Sequence, residues 1–357
     1  FEFHNKTACE KAVLAFPKKV MEQAPGITVS QAVVVYHNEE HFGDAIDKLE
    51  SKLKAQRNKQ VSAESCFMSM RRSRKTGLPV VKNEKEEYLD AGTLAKRKSA
   101  KKGNQSSTIK LSRKCLGLND LTHDQIAYDI EKITQKIDWI AIIHADGNGL
   151  GQVVQKLGKD KKKFSEFSTN LDKATQSAAQ KAYQSVARKY EFNNLKIIPI
   201  RPIVLGGDDL TIICRGDFAL EYASAFLSAF EDLSKEMLGD LLIKNVFKNG
   251  ENYLTACAGI AFIKSSYPFH YGYHLAEELC KAAKKDAKQD RACDELAPSC
   301  LMFHKVQDSF VEDYKKIVKR ELTPDKNITF KNGPYYINPI AERWTCSDLL
   351  ENAESFE

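Results

Sequence analysis

The segment Ile203–Cys214 reads IVLGGDDLTIIC, and it is the stretch from which the fold is best predicted. Two apolar runs rich in Val, Ile and Leu flank the centre Gly206-Gly207-Asp208-Asp209. Such runs are typical of paired β-strands, and the centre is typical of a tight turn, because glycine adopts the positive φ angles that two-residue turns need. The pattern predicts two carboxylates at the tip of a hairpin, although surface turns also use Gly-Asp for turn geometry alone.

A second motif, upstream of the hairpin, favours a functional interpretation. Trp139–Ala145, WIAIIHA, is a continuous apolar run typical of a central strand that is buried on both faces. It ends at Asp146, which begins the glycine-rich stretch DGNGLG. If the hairpin pairs beside this strand, the carboxylates of Asp146, Asp208 and Asp209 converge at one end of the sheet.

Three converging carboxylates repel one another, and a divalent cation removes that repulsion. Mg²⁺ and Mn²⁺ prefer hard oxygen ligands in octahedral geometry, usually together with bound phosphates. A pair of such ions activates an attacking hydroxyl and stabilises an α-phosphate during in-line displacement. The sequence therefore predicts Asp146, Asp208 and Asp209 as catalytic residues and as ligands of a two-metal site for Mg²⁺ or Mn²⁺.

The neighbouring glycines and one lysine are predicted to contact a nucleotide. Glycine lets the backbone approach a triphosphate closely, and the helix that opens at 149–151 presents N-terminal amides that suit an anion. Lys284, on the helix after the third strand, is expected either to meet the triphosphate tail or to remain a solvated helix lysine. The predicted nucleotide-binding residues are Gly147, Asn148, Gly149, Gly206, Gly207 and Lys284.

The order of elements from Trp139 onward indicates the fold class. A helix is predicted between the first strand and the hairpin, and strand and helix alternate after the hairpin. The predicted helices cover 164–190, 218–237 and 274–290, and the later strands cover 254–263 and 299–303. This order predicts an α+β fold of ferredoxin-like palm type.

Composition and cysteine usage narrow the class of protein. The chain has 357 residues, 42% of them hydrophobic, and a net charge of +6, which fits a nucleotide or nucleic-acid partner without requiring one. Its nine cysteines are scattered without CxxC spacing, which favours a reducing, cytoplasmic location over a disulfide scaffold. Because the sequence contains no apolar run of about 18 residues, we expect no membrane-spanning helix.

The first third of the chain carries two weaker patterns. The segment 27–36, ITVSQAVVVY, is rich in β-branched residues and is predicted to be a strand. With the amphipathic helix that follows, it shares a layout with 254–285, which suggests an internal repeat of the palm. The basic stretch 93–114 is predicted to be a flexible link, with a phosphate-backbone contact surface as the alternative.

Three segments resemble the catalytic second palm of the large polymerase-like subunit of type III CRISPR effector complexes. They are HADGNGLG at 144–151, LGGDDLTIIC at 205–214 and the region 257–285, and SCLMFHKV at 299–306 resembles the strand that closes that palm. The first half of the chain resembles the end of the same family's degenerate first palm and its linker.

The resemblance implies a division of the chain into four parts. These are the C-terminal part of a degenerate first palm at 1–60, a basic linker or insert at 61–137, the catalytic palm at 138–310 and a tail at 311–357. The fold class expected for the chain is thus an α+β palm preceded by a partial, degenerate second palm. A stand-alone relative, working outside an RNA-guided complex, also fits this division.

The resemblance also implies that ATP is joined into cyclic oligoadenylate, a second messenger in antiviral defence. Carried over to this chain, it gives metal ligation to Asp146 and Asp208, with Asp209 beside them, and phosphate contact to Lys284. The family commonly has a second Asp where this chain has Asn148.

Other functions and partners stay open from the sequence. A cyclase that makes a different product, such as a dinucleotide from GTP, is the enzyme alternative. A catalytically silent palm that serves as a scaffold or RNA-binding subunit is the alternative from another class. The expected partners are ATP or another NTP, with RNA, effector-complex subunits and a second copy of the chain also open, and no membrane.

Overall fold

The helices and strands fall into two compact units, Phe1–Lys102 and Gly103–Glu357. The computed structural model describes residues 2–37, 42–59, 68–84, 86–100, 103–134, 137–247, 250–289, 295–307, 313–325, 328–331 and 333–354.

The first unit contains three helices and one antiparallel strand pair among its described residues. These elements are α1 (Lys6–Gln23), α2 (Phe42–Arg57), β1 (Val80–Glu84), β2 (Glu87–Asp90) and α3 (Ala91–Ser99). The amphipathic helix expected after residue 36 is present as α2.

The strand predicted over 27–36 is not formed. Residues 27–37 have no helix or strand assignment and lie between α1 and α2. Polar side chains hold this segment, since Gln31 donates to the Val13 carbonyl and Lys52 donates to the Val33 carbonyl. A run of β-branched residues becomes a strand only where another strand accepts its backbone hydrogen bonds, and no described residue supplies that partner.

The second unit is built on one mixed sheet of six strands with helices on both faces. Its strand order is β4-β5-β3-β6-β7-β8. The strands are β3 (Trp139–Gly147), β4 (Ile200–Gly206), β5 (Asp209–Arg215), β6 (Ala256–Lys264), β7 (Cys300–Lys305) and β8 (Tyr335–Tyr336). The helices are α4 (Ser107–Leu116), α5 (Ile130–Thr134), α6 (Leu150–Leu157), α7 (Lys161–Lys189), α8 (Ala219–Asn245), α9 (Phe269–Ala287), α10 (Tyr314–Glu321) and α11 (Cys346–Glu354).

The first four strands of this sheet have the ferredoxin-like arrangement. Strand β3 lies centrally and pairs antiparallel with β5 on one side and with β6 on the other. Strand β4 pairs antiparallel with β5 at one edge, and β7 adds parallel to β6 beyond the core. The α+β palm predicted from the element order is confirmed, although the predicted end of α9, Asp290, lies outside the described residues.

Alternating side chains of β3 supply the two cores of the unit. One core packs Ala141, Ile143 and Ala145 against α7 and α8. The other packs Ile140 and Ile142 against α9. Because successive strand residues point to opposite faces, a central strand that is apolar at every position is buried on both sides.

The flexible link predicted over 93–114 is wrong, because helices occupy most of it. Ser106 caps α4 by accepting from the Ile109 amide, and Gly117, at φ 72°, ends it. The buried face of α4 includes Ile109, Cys115 and Leu116. The many Lys and Arg residues in this stretch conceal a short apolar periodicity, and that periodicity is what forms the helix.

No helix among the described residues is both long and apolar enough to cross a membrane.

Candidate active site

The GGDD hairpin positions two of the predicted carboxylates differently. Gly206 pairs with Asp209, so the loop between β4 and β5 consists of Gly207 and Asp208. Gly207 has φ 61°, the left-handed conformation that glycine tolerates best. Asp208 therefore lies in the turn itself, whereas Asp209 is the first residue of a paired strand.

Pairing of the hairpin with β3 brings the third carboxylate to the same place. Ala145 is the register partner of Leu210, which puts Asp146 beside the start of β5. One carboxylate oxygen from each of Asp146, Asp208 and Asp209 lies within 4.8 Å of the other two. The structure thus brings together the three acids that the sequence singles out.

Burial and mutual repulsion shift the pKa values of these acids. Burial, followed by the neighbouring Asp146, raises the pKa of Asp208 to about 6. The same two causes raise the pKa of Asp209. Burial alone would raise the pKa of Asp146, but the hydrogen bond and positive charge of Lys284 outweigh it and hold that pKa below its usual range.

Lys284, in the last turn of α9, contacts β3 directly. Its Nζ lies 2.5 Å from Asp146 Oδ2 and 2.7 Å from the Gly147 carbonyl oxygen. The side chain is only 18% exposed, so this residue is not a solvated helix lysine.

Glycine in β6 allows α9 to approach the sheet closely enough for that contact. A Cβ on Gly259 would collide with the Ala276 carbonyl and the Cys280 amide of α9. Gly259 is the register partner of His144, two residues before Asp146 on β3. The small residue therefore sets the separation between helix and sheet at the site.

The remaining glycines differ in what surrounds them. A Cβ on Gly147 would collide with the Leu150 side chain and lie 2.9 Å from the Asp208 Cβ. Glycine at this position therefore lets Asp208 in the turn pack closely against the end of β3. A Cβ on Gly149, Gly206 or Gly207 would meet nothing within 4 Å. Open space at these three positions leaves the backbone accessible to a ligand.

Asn148 does not line the carboxylate cluster. It is buried at 2% exposure, and its side-chain amide donates to Thr255 Oγ1 at 3.1 Å. Its backbone amide donates to the Thr255 carbonyl. The structure therefore places Asn148 beneath the site, as a link between the end of β3 and the segment leading into β6.

The family comparison covers the region that holds these residues. Residues 139–293 match the family model of Cas10/Cmr2, second palm domain. These residues form a Cas10-like palm domain. No curated protein matches the chain.

The solved structures that match this chain include two kinds of protein. A chain of the Csm1-Csm4 subcomplex of the type III-A CRISPR-Csm interference complex matches at 16% identity and TM-score 0.34, over 44% of this chain and 21% of that chain. A chain of the Csm1-Csm4 cassette in complex with cA4 matches at 15% identity and TM-score 0.34, with the same coverage. The active GGEEF domain of a diguanylate cyclase from Vibrio cholerae matches at 14% identity and TM-score 0.27, over 42% of this chain and 78% of that chain.

The structural matches span only a fifth of the Csm1-Csm4 chains. Their TM-scores are all below 0.5, so the assignment rests on the family model and on the strand order described above. Together these give a Cas10-like palm.

The carboxylates of the Cas10-like palm fit a divalent cation. Three oxygens of different side chains approach one another closely, and two of the three pKa values are raised. A cation among them would favour the charged carboxylates over the protonated ones. Hard carboxylate donors of this kind suit Mg²⁺ or Mn²⁺.

Sequence reasoning missed a residue that holds the turn between β4 and β5. Thr175 of α7 is fully buried, and its Oγ1 lies 2.6 Å from the Gly207 carbonyl and 3.0 Å from the Leu171 carbonyl. A hydroxyl has one proton, so it donates to one of these carbonyls at a time. A threonine within a helical pattern gives no signal of this role, because its partner lies 32 residues away.

The histidine of the β3 motif has a packing role. His144 Nδ1 lies 3.0 Å from Thr211 Oγ1 on β5, and its ring meets Tyr273 edge to face. Burial lowers the pKa of His144, although the nearby carboxylates Asp209 and Asp146 act in the opposite direction. This side chain therefore packs β3 and β5 against α9 beside the acids.

Proposed function

We propose that the Cas10-like palm of this chain is a metal-dependent nucleotidyltransferase that joins ATP into cyclic oligoadenylate. The observation that carries the proposal is the convergence of Asp146, Asp208 and Asp209 beside an open glycine turn. The choice of ATP and of a cyclic product comes from the resemblance of the sequence motifs to the catalytic palm. The role in antiviral defence has the same origin.

Asp146, Asp208 and Asp209 would hold the divalent cations in this proposal. A pair of such ions, when bound, activates a ribose hydroxyl and stabilises the charge that develops on the α-phosphate. The hydroxyl oxygen forms a new bond to the α-phosphorus, the bond to pyrophosphate breaks, and the hydroxyl proton is released.

The remaining predicted residues would orient the triphosphate. The backbone at Gly149, Gly206 and Gly207 has room for close approach of phosphate oxygens. Lys284 lies against Asp146 and supplies a positive charge beside the acids. Positioning and electrostatic stabilisation account for most catalysis of phosphoryl transfer, so the chain needs no covalent intermediate.

Two other functions fit the same fold and are separated by one experiment. A cyclase with a different base preference would use the same carboxylates on another NTP. A silent palm that serves as a scaffold or RNA-binding subunit would convert no NTP into product. RNA and effector-complex subunits belong to the proposal as partners, and so does a second copy of the chain.

The test incubates the full chain with each labelled NTP and Mg²⁺ or Mn²⁺, with and without RNA, and identifies products by mass spectrometry. The matched variants are Asp208→Asn with Asp209→Asn, and Asp240→Asn, an exposed carboxylate on α8. We expect cyclic oligoadenylate from ATP with the wild type and with Asp240→Asn, and none with the double variant. A cyclic product from GTP alone would establish the first alternative, and no product from any NTP would support the silent palm.

A further inference from the structure

A second group of metal-type donors lies on the outer side of α9, among residues that the nucleotidyltransferase proposal does not use. His274 and Glu278 are one turn apart on α9, and Asp313 immediately precedes α10. One ligand atom from each of the three lies within 4.8 Å of the other two. The donor set combines one imidazole nitrogen with two carboxylates, so it differs in kind from the three aspartates.

The two ring nitrogens of His274 approach different carboxylates. Nε2 lies 3.8 Å from Glu278 Oε1, whereas Nδ1 lies 3.9 Å from Glu277 Oε2 on the opposite side. Glu277 is itself held, because the Tyr273 hydroxyl donates to its other oxygen at 3.1 Å. Nδ1 and Glu277 are beyond hydrogen-bond distance, and a small rotation of either side chain would form the bond that orients metal-binding imidazoles.

Asp313 occupies a capping position without capping its helix. It is the N-cap residue of α10, but its side chain accepts no capping hydrogen bond. An N-cap aspartate ordinarily accepts from the backbone amides of the first turn. Here the Tyr314 amide instead donates to Glu278 Oε2 at 2.6 Å, and the Asp313 carboxylate lies with His274 and Glu278.

We propose that His274, Glu278 and Asp313 bind a divalent cation of the zinc class, separate from the three-aspartate site. Imidazole suits Zn²⁺, Co²⁺ and Ni²⁺, whereas Mg²⁺ takes oxygen ligands only. Three protein ligands leave the fourth tetrahedral position to water. Tetrahedral ligands at zinc-type bond lengths lie roughly 3.3 Å apart, so a small movement of the three side chains closes the site.

The cation would join α10 to α9. Glu278 already links the two helices through the Tyr314 amide, and the cation adds a second link through Asp313. His274 and Lys284 are ten residues apart on α9, which is about 15 Å along a helix axis. The cation site therefore lies toward the N-terminal end of α9, away from Lys284, and has a structural role in fixing the position of α10.

The test uses the full chain carrying Asp208→Asn and Asp209→Asn, so that the three-aspartate site is disabled. Co²⁺ is the probe, and equilibrium binding and the visible absorption of four-coordinate Co²⁺ are the two measurements. His274→Ala is compared with His270→Ala, an exposed histidine one turn earlier on the same helix and outside the donor group. His274 is 54% exposed in its side chain, so its removal leaves the core intact.

We expect one equivalent of Co²⁺ to bind in the background protein and in His270→Ala, with the absorption of a histidine-ligated ion. His274→Ala should weaken binding by more than the roughly tenfold that even outer-shell partners contribute, and should abolish that absorption. Glu278→Gln should also weaken binding, and Zn²⁺ should raise the melting temperature of the background protein but not that of His274→Ala. Equal binding by the two histidine variants, or no Co²⁺ bound by the background protein, would overturn the proposal.

Discussion

The Lys284 ammonium lies 2.5 Å from Asp146 Oδ2, which ties the end of α9 to the central strand of the palm. This contact makes Asp146 the acid that stays ionised, while burial raises the pKa values of Asp208 and Asp209. One positive charge among three carboxylates thus gives them unequal proton affinities.

Replacing this lysine should change the titration of its partner. In Lys284→Met the pKa of Asp146 should rise, because burial remains and the opposing charge and hydrogen bond are gone. Carboxyl-carbon NMR titration without divalent cations measures the shift. Lys281→Met, an exposed lysine on the same helix, is the control and should leave Asp146 unchanged. If Asp146 has the same pKa in Lys284→Met and in Lys281→Met, the contact between Lys284 and Asp146 has no electrostatic role.

A methyl group at residue 147 should disturb the turn that carries Asp208. The Cβ in Gly147→Ala would collide with Leu150 and press on Asp208, so the carboxylate moves from its place. Displacements of about 1 Å typically cost about a hundredfold in rate, and we expect a loss of that size in nucleotide turnover. Gly151→Ala adds the same methyl group in open space on α6 and should retain activity. Full activity in Gly147→Ala would contradict the close packing of Asp208 against residue 147.

Removing one hydroxyl from α7 should loosen the same turn from beneath. Thr175→Val keeps the shape of the side chain but leaves the Gly207 carbonyl without its donor. We expect a loss of about 1 kcal/mol in the free energy of unfolding, measured with urea, and a lower turnover rate.

Thr169→Val is the matched control for that substitution. Thr169 is exposed on the same helix, and its hydroxyl donates only to the Ser165 carbonyl in the preceding turn. Thr169→Val should change neither the free energy of unfolding nor the turnover rate. If both threonine variants behave alike, the bond to Gly207 does not position the turn.

Stability without divalent cations should depend on pH through Asp208. Its pKa in the folded protein is about 6, against 3.8 ordinarily, so folded chains keep a proton that unfolded chains have lost between these values. The contribution of Asp208 to the free energy of unfolding therefore falls as pH rises from about 4 to about 6, and stays low above that.

Asp208→Asn removes this dependence. The free energy of unfolding of the variant minus that of the wild type should therefore increase as pH rises from about 4 to about 6. Urea unfolding in EDTA at several pH values measures the difference, with Asp240→Asn as the control. A difference that stays constant with pH would show that Asp208 titrates normally in the folded protein.

The sequence predicted the palm well because its signals are local. The apolar run of β3, the glycine turn between β4 and β5, and the spacing of the helices each depend on short stretches of chain. The convergence of Asp146 with Asp208 and Asp209 required one assumption, that the hairpin pairs beside β3, and the structure has that pairing.

The features that sequence reasoning missed depend on distant parts of the chain. The segment 27–36 has strand composition without a strand partner among the described residues, and 93–114 hides the short helices α3 and α4 among basic residues. Asn148 points inward because Thr255 lies opposite, and Thr175 supports the turn because α7 crosses beneath it. Neither contact can be predicted from the residues that surround it in the sequence.

Pyrophosphate release from ATP tests the central claim most directly. The measurement compares the full chain with its Asp208→Asn and Asp209→Asn double variant, in Mn²⁺ and in EDTA, with Asp240→Asn as the control. We predict release by the wild type and the control in Mn²⁺ only, and none by the double variant. Equal release by the wild type and the double variant would contradict a site built on Asp146, Asp208 and Asp209.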